Sequence, residues 1–178
     1  MNKKIALLRG INVGGKRIIL MPELKLLCEN LGWEQVETFI QSGNIIFNSN
    51  QDIFELEKCL EIAIMGKYGF DVPVIIRSSS ELQDAIDRNP FFDGNADIDG
   101  LALTFLKNKS TKENEEKTKS YNYEPDKFII VGKNVFLRIQ GNYHLTKYTN
   151  NFFEKKLNTE ATTRNWKTVL KLFELTKL

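Results

Sequence analysis

Gly10 to Lys16 reads Gly, four residues, Gly, Lys, the larger part of a phosphate-binding P-loop, and it follows an apolar run as such a loop does. A P-loop continues with Ser or Thr to hold magnesium and enters a helix whose amides cradle the phosphates. Here Arg17, Ile18 and Ile19 follow, no helix opens before Pro22, and the apolar run Val74, Ile75, Ile76 ends in Arg77 where a metal-binding Asp belongs. The residues fit a simpler task, a glycine loop with Arg9, Lys16 and Arg17 close to an anion, or else only a tight loop. Asn95, Asp97, Asp99 and Gly100 imitate the first half of a calcium loop, but its twelfth position is Leu106 in place of the bidentate Glu. With a single histidine, His144, metal sites of two or three His ligands are excluded. No Gly-x-Ser-x-Gly elbow supplies a nucleophile, and Ser42 before Gly43 is explained by a hairpin turn. No catalytic residue, metal site or cofactor is assigned.

The segment from Ala161 to Lys167 is the most informative. Thr163 is a natural N-cap, so the spacing predicts a terminal helix from about Thr163, with free amides that suit an anion. Arg164 in that first turn meets the positive end of the helix dipole, and either Glu160 compensates it or Arg164 and Thr163 hold a phosphate or carboxylate. Trp166 belongs to the core face of Val169, Leu170 and Phe173.

The elements that position these residues follow from pattern. A strand over 4–9, a helix from Pro22 to Leu31 closed by Gly32, strands 36–41 and 45–48 around Ser42, Gly43 and Asn44, a helix over 52–68 and a strand over 72–77 make β-α-β-β-α-β, the ferredoxin-like unit. A helix over 80–88 follows. The pattern then repeats as strand 101–106, charged helix 111–120, a hairpin of 127–131 with 134–139, a helix over 151–157, a weak or missing strand near Ala161, and the terminal helix. The expected fold is therefore α+β, two ferredoxin-like subdomains in tandem, each with a trailing helix. Residues 1–78 form the first, 79–100 a helix and acidic connector, and 101–178 the second.

The chain has 178 residues, 42% hydrophobic and 27% charged, with a net charge of +2. This is globular composition that needs no disulfide or metal, neither a disordered tail nor the strongly basic surface of a dedicated nucleic-acid binder. Cys28 and Cys59 each fall on an apolar helix face and read as buried, reduced thiols. No apolar run approaches the ~20 residues of a membrane span, and the N-terminus lacks a signal-peptide core, so the expected location is the cytoplasm. Residues 78–100 hold six acids against Arg88 alone, while residues 145–178 hold seven bases against three acids. The basic end is where an anion would be drawn.

Ala6 to Lys16, Gln41-Ser42-Gly43-Asn44, Asn89-Pro90-Phe91 and Ala161 to Trp166 together resemble the bacterial family catalogued as domain of unknown function 1697. The resemblance spans nearly the whole chain. It implies an α+β protein of two ferredoxin-like subdomains and carries no activity with it. Where that family tends to place a Ser-Lys pair after the last hairpin, this chain has Thr146 and Lys147, which keeps a hydroxyl and an amine.

The polar residues of these motifs stand at strand ends, turns and a helix start, where binding residues sit. The expectation is one anion site in a cleft between the subdomains, built from Arg9, Asn12, Lys16, Gln41, Asn44, Thr163 and Arg164, for a phosphorylated metabolite or nucleotide. RNA is the weaker form of this idea, since the aromatic signature of RNA-binding sheets is missing from Asn44-Ile45-Ile46-Phe47. A small enzyme acting on a phosphorylated substrate, and a structural or oligomerising protein whose motifs lock the subdomains, are the competing classes.

Overall fold

The computed structural model describes residues 3–94 and 97–177. It divides into two compact units, one running to Gln83 and including the residues from Leu172 on, the other spanning Asp84–Lys171.

In the first unit, β1 (Lys3–Leu8), β2 (Glu34–Phe39), β3 (Asn44–Asn48) and β4 (Val74–Ser78) form one antiparallel sheet in the order β2-β3-β1-β4. Helix α1 (Met21–Asn30) starts with Pro22 in its first turn, where a missing N–H costs nothing. Helix α2 (Ile53–Tyr68) is capped by Asp52, whose carboxylate accepts from the Phe54 amide at 2.9 Å, and it ends at Gly69. Both helices lie on one face of the sheet, where Leu24, Cys28, Leu56, Leu60 and Ile64 bury against Ala6, Leu8, Ile45, Phe47 and Ile76. Trp33 stacks on Phe47 with ring centroids 3.8 Å apart. Burial pushes the Cys28 thiol up to about 12, so it stays a neutral apolar group.

An edge strand exposes unpaired amides, and β4 is one. The amides of Val74 and Ile76 donate to the Glu61 and Glu57 carboxylates, each at 2.8 Å, and that of Ser78 donates to Glu81 at 2.8 Å. Glu57 and Glu61 stand one turn apart on α2, so the helix that covers the sheet also closes its edge. The short helix α3 (Ser79–Asp87) follows β4 directly.

In the second unit, β5 (Leu101–Leu106), β6 (Lys127–Val131), β7 (Asn134–Arg138) and β8 (Ala161–Asn165) form a second antiparallel sheet in the order β6-β7-β5-β8. Helix α4 (Lys112–Lys119) is capped by Thr111 and α5 (Asn150–Leu157) by Thr149. Phe153 and Leu157 of α5 bury with Ala102, Leu106, Val135, Leu137 and Tyr148. Helix α6 (Trp166–Leu175) closes the order, and Trp166 is fully buried.

Two expectations are corrected. Residues 161–165 are a full strand paired to β5, so Thr163 caps nothing. Asn165 is the cap, its side-chain oxygen accepting from the Thr168 amide at 2.8 Å. Threonine favours strands as readily as caps, and pairing with the apolar β5 decides between them. Cys59 is exposed, because the buried stripe of α2 is Leu56, Leu60 and Ile64, one position away. The first ligand position of the calcium-like loop, Asn95, lies outside the described residues.

Of the glycines described in the first unit, the most closely approached is Gly43, at φ +78° in the turn before β3. A Cβ there would lie 2.7 Å from both the Leu8 Cβ and the Ile11 Cδ1. Gly43→Ala is expected to cost about 2 kcal/mol or more, since both the backbone and the contact are strained. Urea denaturation measures it, and an unchanged midpoint would refute this account of the turn.

Candidate functional site

The glycine loop is a small β-ribbon. Val13 and Lys16 form an antiparallel bridge, the Lys16 amide donates to the Val13 carbonyl at 3.1 Å, and the Asn12 amide donates to the Arg17 carbonyl at 3.2 Å. Gly14 at φ +58° and Gly15 at φ +71° make the two-residue hairpin turn that needs positive φ at both positions. This chain path differs from a P-loop, because two of its amides are spent inside the ribbon.

Asn12 fixes the loop. Its side-chain amide donates to the carbonyls of Ile19 at 3.0 Å and Gln41 at 2.8 Å, and its side-chain oxygen accepts from the Ile19 amide at 2.9 Å. The Gln41 bond ties the loop to the turn between β2 and β3, which meets β1 where the Leu8 amide donates to the Gly43 carbonyl at 2.8 Å. Asn44 is fully buried at the same turn, donating to the Phe39 carbonyl at 2.9 Å and the Ser42 hydroxyl at 3.0 Å. Arg9, Asn12, Gln41 and Asn44 are thus gathered at one end of the first sheet, with Lys16 at the tip of the ribbon.

Asn12 and Arg17 hold φ of +55° and +49°. Left-handed backbone costs of order 1–3 kcal/mol when the residue is not glycine, and it marks sites whose surroundings impose it. The Arg17 guanidinium lies against Gly10, where an added Cβ would sit 3.7 Å from its Nη1. Among the described residues the side chains of Lys16 and Arg17 make no ion pair or hydrogen bond. The loop therefore carries two uncommitted cations on a strained frame, in the segment that also holds Arg9.

Thr163 and Arg164 belong to the second unit, on opposite faces of β8. Thr163 faces the helix layer, where its hydroxyl donates to the Asn150 side-chain oxygen at 2.6 Å and lies 2.7 Å from the Thr104 hydroxyl. Tyr143 shares this polar group, and burial raises its phenol above the ordinary value. Arg164 points the other way and is buried, its Nη1 donating to the Thr162 hydroxyl at 2.8 Å and the Thr163 carbonyl at 3.0 Å. Glu160 pairs instead with Lys107 at 3.2 Å. Burial lowers the Arg164 guanidinium to about 10.

Sequence reading passed over the counterpart of Arg164. Arg77 is buried in β4 and donates from Nη1 to the carbonyl of the preceding residue, Ile76, at 2.8 Å. It pairs with Ile5 of β1 as Arg164 pairs with Leu103 of β5. The last strand of each sheet therefore holds a buried arginine at the same register. The available signal was a charge closing the apolar run 74–76. His144 is exposed in a single 3-10 turn, Tyr143–Leu145, and does not line the Thr163 group. Among the described residues no group of His, Cys, Asp and Glu could hold a metal, and no helix is long and apolar enough to cross a membrane.

Among the described residues, two tandem four-stranded antiparallel sheets with six α-helices define an α+β protein. Residues 1–136 match the family described as protein of unknown function (DUF1697), and the chain belongs to that family. Among solved structures, the conserved bacterial protein SP0830 from Streptococcus pneumoniae is similar, with a TM-score of 0.83 and 26% identity, covering 100% of this chain and 99% of that one. No curated protein matches the chain.

Arg164→Ala removes a buried guanidinium with its bonds to the Thr162 hydroxyl and the Thr163 carbonyl, so stability is expected to fall by about 2–4 kcal/mol at neutral pH in urea titration. The parent protein should also gain stability from this group as pH rises above about 10. Its folded form releases the proton before the unfolded chain does, and the variant should lack that increment. A variant as stable as the parent would show that the arginine is not anchored in β8.

Proposed function

We propose that the protein binds an anionic small ligand, a phosphorylated metabolite or nucleotide, through the glycine ribbon of its first unit. Arg9, Lys16 and Arg17 supply the charge, and Asn12, Gln41 and Asn44 hold the frame. The observation that carries this reading is Arg17, kept in a left-handed backbone conformation with its guanidinium against Gly10 and no partner among the described residues. A guanidinium meets a phosphate through paired N–H donors, and this one has no ion pair or hydrogen bond among the described residues to give up first. Each unit is read as ferredoxin-like, since a β-α-β-β-α-β order with the first strand central in the sheet is what that unit requires. Two free cysteines support a reducing, cytoplasmic setting.

The structural class has support of its own in Asn12 and Asn44, whose amides are spent on backbone carbonyls. Thermal shift with inorganic phosphate and nucleoside monophosphates separates the two, because a ligand that binds only the folded chain must stabilise it. Binding is expected to weaken at least about tenfold, 1.4 kcal/mol, in the double variant Lys16→Ala, Arg17→Ala, with an unchanged melting temperature for the ligand-free protein. No stabilisation by any of these anions would favour the structural class.

A further inference from the structure

We propose that the second unit carries a separate site, a cleft of about 410 Å³ lined by Tyr123, Pro125, Asp126, Asn142, Leu145 and Lys147 among others, which takes a nucleoside monophosphate with its base on Tyr123 and its phosphate on Lys147. It stands independently of the glycine ribbon, and either can fail without the other.

The cleft has the volume of a small-molecule site and combines three chemistries. The first is a fixed aromatic platform. The Tyr123 ring is backed by Tyr148 at 5.2 Å and Phe152 at 5.8 Å between centroids. The buried Tyr148 hydroxyl accepts from the Tyr123 amide at 3.0 Å and donates to the Tyr121 carbonyl at 3.2 Å. A platform ordered in advance loses little freedom when a ring stacks on it. Leu145, 80% exposed at the rim, is apolar surface that a stacked ring would cover.

The second is an exposed charge. The Lys147 ammonium sits 5.0 Å from the centroid of the Tyr123 ring and makes no ion pair among the described residues. An exposed cation–π contact is weak beside a charge-assisted bond to phosphate. A base arriving on the ring therefore displaces the ammonium towards the phosphate of the same ligand.

The third is a mixed polar edge. Asp126 accepts from the Gln140 amide at 3.0 Å through one oxygen and keeps the other as an acceptor. The Asn142 side-chain oxygen accepts from the His144 amide at 2.9 Å, which leaves its amide hydrogens as donors. Donors beside acceptors match the edge of a base. The carboxylates of Glu124 and Asp126 repel phosphate and attract exocyclic amines, so they orient the base inward and turn the phosphate to Lys147. A single cation suits a monophosphate better than a triphosphate. A sugar phosphate would engage the lysine alone.

Calorimetric titration of the full chain with AMP, UMP, adenosine and ribose 5-phosphate tests this. AMP is expected to bind at least about tenfold more tightly than ribose 5-phosphate, and more tightly than UMP or adenosine. Lys147→Gln should abolish the advantage of AMP over adenosine, and Tyr123→Leu should weaken both about tenfold. Should Tyr123→Leu fail to fold, Lys147→Gln with Asp126→Asn, which should erase the preference for AMP over UMP, decides the matter. Failure of AMP to bind at millimolar concentration overturns the proposal, as does equal binding of ribose 5-phosphate. So does AMP binding that survives Lys147→Gln but is lost in Lys16→Ala, Arg17→Ala, which would assign the nucleotide to the ribbon.

Discussion

One side-chain amide, that of Asn12, sets the geometry on which the first unit's proposed chemistry depends. Its three hydrogen bonds hold the two legs of the glycine ribbon together and fasten them to the turn between β2 and β3. That turn is packed so closely against β1 that only glycine fits at residue 43. Strain in Asn12 and Arg17 is therefore balanced by contacts that a free loop could not make, and a cationic tip that would otherwise be mobile has a defined frame. An anion site built this way gains from preorganisation more than from the number of its charges.

The two units share an order of elements and use it differently. In the first, the helix-covered face of the sheet is apolar throughout its centre, and the carboxylates of Glu57 and Glu61 reach over to satisfy the amides of β4. In the second, the corresponding face admits Thr104, Thr163, Asn150 and Tyr143, a bonded polar group on the central strand and its neighbour. What both keep is the buried arginine near the end of the last strand, Arg77 and Arg164, each bonded to the carbonyl before it. A buried guanidinium is costly unless its donors are satisfied, so its recurrence at one register reflects a constraint of the architecture.

Most elements could be read from the chain because their signals are local. Asp52 caps α2 where its apolar periodicity begins, Thr111 caps the charged run of α4, Gly69 stops α2, and the two hairpins fall where glycine permits the turn. β8 was hard to read because Thr162, Thr163 and Arg164 carry no apolar alternation, and the strand exists by pairing with β5, a partner nearly sixty residues earlier. Cys59 reads as buried from its neighbours and is exposed, since one position on a helix moves a side chain by about 100°. The candidate residues of the first unit do gather at one end of its sheet, but spacing could not show that Asn12 and Asn44 turn inward to the backbone while Lys16 and Arg17 remain uncommitted. Arg77, Tyr143 and the cleft beside Tyr123 depend on contacts between distant segments and leave no motif.

The most direct measurement is phosphate affinity in Asn12→Gly, followed by calorimetry. Glycine keeps the left-handed backbone cheap and removes the side chain with its three hydrogen bonds, while Arg9, Lys16 and Arg17 remain. If Asn12 preorganises the ribbon, affinity falls about tenfold and the slopes of the unfolding transition are unchanged. Affinity equal to the parent's would contradict the account, for the cations would then bind without the frame.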